Sequence, residues 1–138
     1  MRPSRLFVLV LAILAGTFLM GASASAHHSR AGYDSGPEKL VTQNGVVSSV
    51  LWRNPHVFIT WDVKDSSGSV VKWTGEFSST TTMISEGMSR DTFKAGDPIT
   101  VSFMPTKAGT PYGLVIKMVR PDGKIVLDLS QRRNLLQQ

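Results

Sequence analysis

Three histidines and one glutamate are the residues of this sequence whose types and spacing suggest metal chemistry. His27 and His28 follow small residues in the stretch "SASAHHSR", and His56 follows the turn-forming pair Asn-Pro. An imidazole whose second nitrogen contacts a carboxylate is a common arrangement around bound metals. We therefore predict a metal site in which the Glu76 carboxylate orients the His56 ring.

The first 26 residues are typical of an export signal. Arg2 and Arg5 precede the apolar run Leu6–Met20, and small residues end the segment at Ala26. The run is short for a membrane-spanning helix. We therefore predict cleavage and release to the periplasm or the outside, with no stable membrane anchor. Cleavage after Ala24 fits the small-x-small pattern equally well, and the sequence leaves both positions open.

The cleavage point decides which copper site the amino terminus offers. Cleavage after Ala26 makes His27 the first residue, so its free amine and its ring would chelate one ion together. His56 or His28 would add a second imidazole, and such a nitrogen-rich equatorial set suits copper(II). Cleavage after Ala24 would place histidine third, which gives a passive copper or nickel site. Ordinary solvated histidines are the alternative interpretation.

Composition limits the class of protein. The chain has 138 residues, no cysteine and a formal charge of +5, so neither disulfides nor thiolate chemistry are available. Basic and acidic residues are interspersed without a basic run, which argues against nucleic-acid binding. We predict a signal peptide at 1–26, an irregular arm at 27–44 whose last part is free to join a sheet, an OB-like barrel domain at 45–130, and a frayed tail at 131–138.

A period of two in hydrophobicity predicts the strands. Two alternating runs flank "DSSGS" and form a hairpin. A three-residue loop ending at Gly68 opposes Trp61 to Trp73, whereas a two-residue loop would pair inward with outward positions. In this register His56 shares the outer face with Phe58 and lies diagonal to Glu76.

The order of elements predicts the fold. Three strands, a short helical link over Ser79–Phe93 and two or three further strands match a small OB-fold-like Greek-key barrel of five to six strands; a sandwich is the alternative. The usual binding face of such a barrel would here include Glu76, Trp52, Asn54, Phe58, Thr60 and Thr74.

Two finer expectations concern side chains that face the core. In the first strand, the alternation places Val46, Ser48, Val50 and Trp52 on one face and Val47 on the other. In the helical link, the spacing places Met83, Ile84, Met88 and Phe93 inward.

Four motifs resemble an uncharacterised family of small exported bacterial proteins. They are "AHHSRAGYD" at 26–34, "VVSSVLWRNPH" at 46–56, "WTGEF" at 73–77 and "KAGDPITVSFMP" at 94–105. The family pattern falls on His27, His28, Ser29, Trp52, Asn54, Pro55, His56, Trp73, Glu76, Gly96 and Asp97. The resemblance implies export and a single β domain, and it supplies no activity.

The expected function is therefore that of an exported binding module rather than an enzyme. The expected partner is a metal ion, with copper(II) as the ligand and His27, His28 and His56 as candidate ligands. Two alternatives stay open: a module that binds a protein or a glycan without metal, and a small copper-dependent oxidoreductase.

Overall fold

The computed structural model describes residues 32–34 and 36–131. The predicted signal, both N-terminal histidines and most of the predicted tail lie outside the described residues. Among the residues described, no helix has the length and apolar character needed to cross a membrane. The elements are a 3-10 turn (Pro37–Lys39), β1 (Val41–Leu51), β2 (Phe58–Lys64), β3 (Val70–Glu76), α1 (Thr80–Ser85), β4 (Pro98–Pro105), β5 (Tyr112–Val119) and β6 (Ile125–Asp128).

The strands form a closed five-stranded barrel with one extra strand. β1 pairs antiparallel with both β2 and β4, β2 with β3, and β4 with β5. A short parallel pairing between β3 and β5 closes the barrel, and β6 extends it beside β5. With α1 between β3 and β4, this order confirms the predicted OB-fold-like barrel.

The β2–β3 hairpin has the predicted register. Trp61 faces Trp73, and Val63 faces Val71. Gly68 adopts a positive φ of 85° at the end of the loop, a conformation that glycine reaches without strain. The two tryptophan rings stack inside the barrel with centroids 6.3 Å apart, and Trp61 is fully buried.

The barrel closes around aromatic side chains because two glycines leave room for them. A Cβ on Gly75 would lie 2.5 Å from Val115 and 2.9 Å from the Trp61 ring, and one on Gly113 would lie 2.3 Å from Phe103. The parallel β3–β5 seam therefore requires glycine at both positions. The core has these buried members: Val47, Val57, Ile59, Trp61, Phe77, Met83, Met88, Phe93, Ile99, Val101, Phe103, Val115, Met118 and Leu127.

β1 differs from its prediction in both length and facing. It begins at Val41, so the last part of the predicted arm is strand. The pairing with β2 shifts register between Val47 and Ser49, which marks a β-bulge. Because a bulge inserts one residue, it reverses the alternation. Val47 is consequently buried and Val50 packs against the same core, whereas Val46 is 45% exposed. The prediction that Val46 and Val50 share one face, with Val47 on the other, was therefore wrong.

The link between β3 and β4 contains the predicted helix in a short form. Met83, Met88 and Phe93 are buried as expected. Ile84 is 61% exposed, so its predicted inward position was wrong. The reason is helical geometry, because consecutive helical residues point about 100° apart and Met83 already faces the core.

Candidate functional site

Glu76 is the centre of a polar cluster at the seam that closes the barrel. It is the last residue of β3 and points outward, opposite to the buried Gly75 and Phe77. The parallel pairing of β3 with β5 aligns Thr74 with Tyr112 and Glu76 with Leu114. Tyr112 is thereby positioned to donate a hydrogen bond of 2.5 Å from its phenol to Glu76 Oε2.

A second phenol reaches the same carboxylate oxygen from the N-terminal segment. Tyr33 donates to Glu76 Oε2 at 2.8 Å. Its backbone forms a bridge with Thr106, and the flanking residues add two hydrogen bonds, Asp34 N to Pro105 O at 2.9 Å and Lys107 N to Gly32 O at 3.0 Å. Residues 32–34, called the N-terminal strap below, are therefore fixed against the end of β4.

His56 completes the cluster from the turn before β2. Its Nδ1 contacts Glu76 Oε1, and its ring stacks on Phe58 with centroids 6.4 Å apart. The His56 and Glu76 side chains each retain 17% of their exposure. The register predicted this diagonal contact, although the ring is more covered than a side chain on an open outer face.

The turn that holds His56 is tied to the start of the helix. Asn54 Oδ1 accepts hydrogen bonds from Thr80 N at 3.1 Å and from Thr80 Oγ1 at 2.8 Å, and the Asn54–Pro55 peptide bond is cis. Next along the chain, Val57 is fully buried and bonded to the backbone of Ser78 and Phe77. These contacts fix the backbone on both sides of His56.

The cluster changes the acidity of the two phenols. Burial first, and then the hydrogen bond to Glu76 and its negative charge, raise the pKa of Tyr33 to about 12. The same causes, in the same order, raise the pKa of Tyr112 further above its ordinary value. Both phenols are therefore protonated donors at neutral pH, and Glu76 accepts from them.

The remaining predicted binding-face residues lie around the cluster in different settings. Trp52 is half-buried and packs against the core. The Thr60 hydroxyl bonds those of Ser48 and Ser49 at 2.8 and 2.7 Å, on the β1 side of the hairpin. Thr74 binds the 106–111 loop through its backbone N–H, which donates to Pro111 O at 3.0 Å.

Of the three histidines predicted as metal ligands, only His56 lies within the described residues. His56 and Glu76 are brought together, whereas His27 and His28 lie outside the described residues. Within 32–34 and 36–131, no three His, Cys, Asp or Glu side chains form a group able to hold a metal ion. The oxygen donors that join His56 and Glu76 are instead phenols.

Tyr33 and Tyr112 were not predicted as site residues. They are the chain's two tyrosines, and both contact one carboxylate. One signal was available in the sequence: an OB-fold brings the end of its third strand beside its last barrel strand. That closure places the start of "YGLVIKMV" next to "WTGE".

The fold and the cluster define a small OB-like β-barrel with a histidine, a glutamate and two tyrosines at its closing seam. The chain belongs to a family of unknown function (DUF6152), whose model matches residues 17–117. Membership of an uncharacterised family is what the four sequence motifs predicted. No curated protein and no solved structure matches the chain.

Proposed function

We propose that this protein is an exported binding module that binds copper(II) through His56 and the N-terminal His27, with His28 as the alternative second imidazole. The observation that carries the proposal is the contact of His56 Nδ1 with the Glu76 carboxylate. A carboxylate on one ring nitrogen fixes the tautomer and the ring orientation, and it makes the other nitrogen a stronger metal ligand. Copper would therefore bind through His56 Nε2.

The N-terminal strap supports the participation of the arm. Tyr33 is bonded to the same carboxylate as His56, and His28 precedes it by only five residues. Five residues span at most roughly 18 Å when fully extended. The chain between the arm histidines and Tyr33 is therefore long enough to allow those histidines to approach the His56 ring.

The signal-like start of the chain supports export to the periplasm or the outside. Arg2, Arg5 and the apolar run that follows are typical of a cleaved signal. Cleavage after Ala26 would create the free amine that chelates copper together with the His27 ring. Intact mass of the protein recovered from the periplasm measures the cleavage point, and a mass that retains residues 1–26 would contradict this part of the proposal.

A copper titration of the exported protein tests the ligands. We expect one copper(II) per chain with a nitrogen-rich electron paramagnetic resonance spectrum. His27→Ala and His56→Ala should each weaken binding by more than about tenfold, because each removes an in-plane nitrogen. Asp62→Asn, on the same outer face, is the matched control and should bind normally. Full affinity in both histidine variants would disprove the site.

A second candidate function, binding of a protein or a glycan without metal, is favoured by a different surface. Val46 and Val70 are 45% and 58% exposed, and they line a shallow groove with Asn44, Gly45, Asp62 and Lys64. Binding of such a partner should survive chelation of all metal. Catalytic turnover by the copper-loaded protein in the presence of a reductant and oxygen would instead indicate a copper-dependent oxidoreductase.

A further inference from the structure

The polar cluster contains a donor set that needs no residue before the N-terminal strap. Tyr33 and Tyr112 both donate to Glu76 Oε2, and His56 Nδ1 lies against Oε1. The rings of Tyr33 and Tyr112 also stack on each other, with centroids 6.4 Å apart. Two phenol oxygens and one imidazole nitrogen thus surround one carboxylate, and the four side chains come from four separate segments of the chain.

The charges of these donors indicate which ion would fit. A phenol that binds a metal does so as a phenolate, so two phenolates and one carboxylate supply three negative charges, and the imidazole is neutral. A trivalent cation would be neutralised, whereas a divalent one would leave a net negative charge in a site that is mostly covered. Because uncompensated charge is costly away from water, this donor set favours a trivalent cation.

The type of donor atom narrows the choice further. Anionic oxygen atoms are hard ligands, and ions of high charge density prefer them. Imidazole is also a regular ligand of iron, so the complete set of side chains suits this metal. We propose that Tyr33, Tyr112, Glu76 and His56 form a binding site for a hard trivalent cation, and that the ion bound is ferric iron. The proposal goes beyond the copper site, because it requires neither signal cleavage nor either N-terminal histidine.

Binding would exchange protons for the metal without any redox step. Each phenol loses one proton to solvent as its oxygen bonds to the ion, so two protons are released per ion and iron remains ferric. In the metal-free protein both phenol protons are donated to Glu76 Oε2, so the ion takes the place of these two hydrogen bonds.

The cluster is accessible to an incoming complex. His56 and Glu76 each keep 17% of their side-chain exposure, so the cluster is not sealed from solvent. Four protein donors leave coordination positions on an octahedral ion that water or a small anion would fill. A chelate of iron is therefore able to approach and transfer the ion.

Titration of the full chain with ferric nitrilotriacetate tests this site. We expect a visible phenolate-to-iron charge-transfer band that saturates at one ion per chain. Tyr33→Phe and Tyr112→Phe should each weaken binding by more than about tenfold and reduce the band. Lys72→Met, on the same face of the hairpin, is the control and should leave both unchanged.

A second measurement avoids any variant that folds poorly. Gallium(III), a trivalent ion without redox chemistry, should produce a tyrosinate difference spectrum in the unaltered protein, since both tyrosines of the chain would be ligands. A missing charge-transfer band, an absent gallium spectrum, or binding that is unchanged in both phenylalanine variants would overturn the proposal.

The two metal proposals fail separately. The double variant His27→Ala/His28→Ala should lose copper affinity and retain ferric binding. Copper binding that depends on His27, with no ferric band, would overturn the ferric site and leave the proposed function intact. Ferric binding with no copper affinity would overturn the proposed function and leave the ferric site intact.

Discussion

Two side-chain pairs, each containing a carboxylate, lie on the outer face of the same hairpin, and their surroundings differ. His56 and Glu76 meet at the end of the hairpin near the seam, where each side chain is 17% exposed. Lys72 and Asp62 meet closer to the loop, 2.7 Å apart, with 59% and 38% of their side chains exposed. Both contacts follow from the alternation of β2 and β3.

The difference arises from segments that are distant in sequence. The N-terminal strap and the start of β5 cover the Glu76 end and add two phenol donors. At the other end, Lys72 gains the Ser48 hydroxyl at 2.9 Å. Strand register therefore decides which side chains meet, whereas coverage by other segments decides how much the contact contributes to stability.

The largest effect is expected beneath both pairs, at Trp61. Trp61→Ala should lower the free energy of unfolding by about 3–5 kcal/mol, because it leaves a cavity in a fully buried position. Urea denaturation followed by circular dichroism measures the loss. Val70→Ala, at a position that is 58% exposed, is the control and should change stability by less than about 0.5 kcal/mol. A loss at Trp61 no greater than at Glu76 would show that the cluster, not the core, dominates stability.

The next largest loss of stability is expected at Glu76, whose carboxylate can be compared directly with that of Asp62. Glu76→Ala leaves two phenols and an imidazole without their shared acceptor, so we expect a loss of about 1–3 kcal/mol. Asp62→Ala removes an exposed ion pair and should cost no more than about 1 kcal/mol. The same denaturation experiment checks both variants, and equal losses would contradict the proposed role of coverage.

The two phenols should each contribute less than the carboxylate. Tyr33→Phe and Tyr112→Phe should each lower stability by about 1 kcal/mol, the usual net value of one hydrogen bond. Since both donate to Glu76 Oε2, the double variant should deviate from additivity. A double-mutant cycle measures that deviation. Strictly additive losses would indicate that the phenols act independently of each other.

The last effect appears only at alkaline pH. The folded-state pKa of Tyr33 is raised from 10.0 to about 12, and that of Tyr112 is raised further. Stability from these phenols is therefore fully present below pH 10 and decreases as pH rises toward 12 and above. Ultraviolet titration of the metal-free protein should show almost no tyrosinate near pH 10. Titration of both tyrosines at pH 10 would mean that the cluster does not form in solution.

Local alternation was sufficient to predict the hairpin and the His56–Glu76 contact, because period-two patterns fix both facing and register. It failed in β1, where the bulge at Ser48 follows from pairing with β2 and leaves no mark in the alternation of hydrophobic residues. It also missed Tyr33 and Tyr112. Their roles depend on the parallel closure of the barrel and on the strap beside β4, which are contacts between distant segments.

The attachment of the N-terminal strap determines where an affinity tag belongs. Gly32 is bonded to Lys107, so a polyhistidine sequence inserted between the proposed cleavage point and the N-terminal strap would be tethered near Glu76, where its imidazoles would compete for any bound ion. At the other terminus, β6 pairs with the far half of β5, at Lys117–Val119 rather than at Tyr112. A purification handle placed after β6 therefore starts beside the second half of β5 rather than beside the contact between Glu76 and Tyr112.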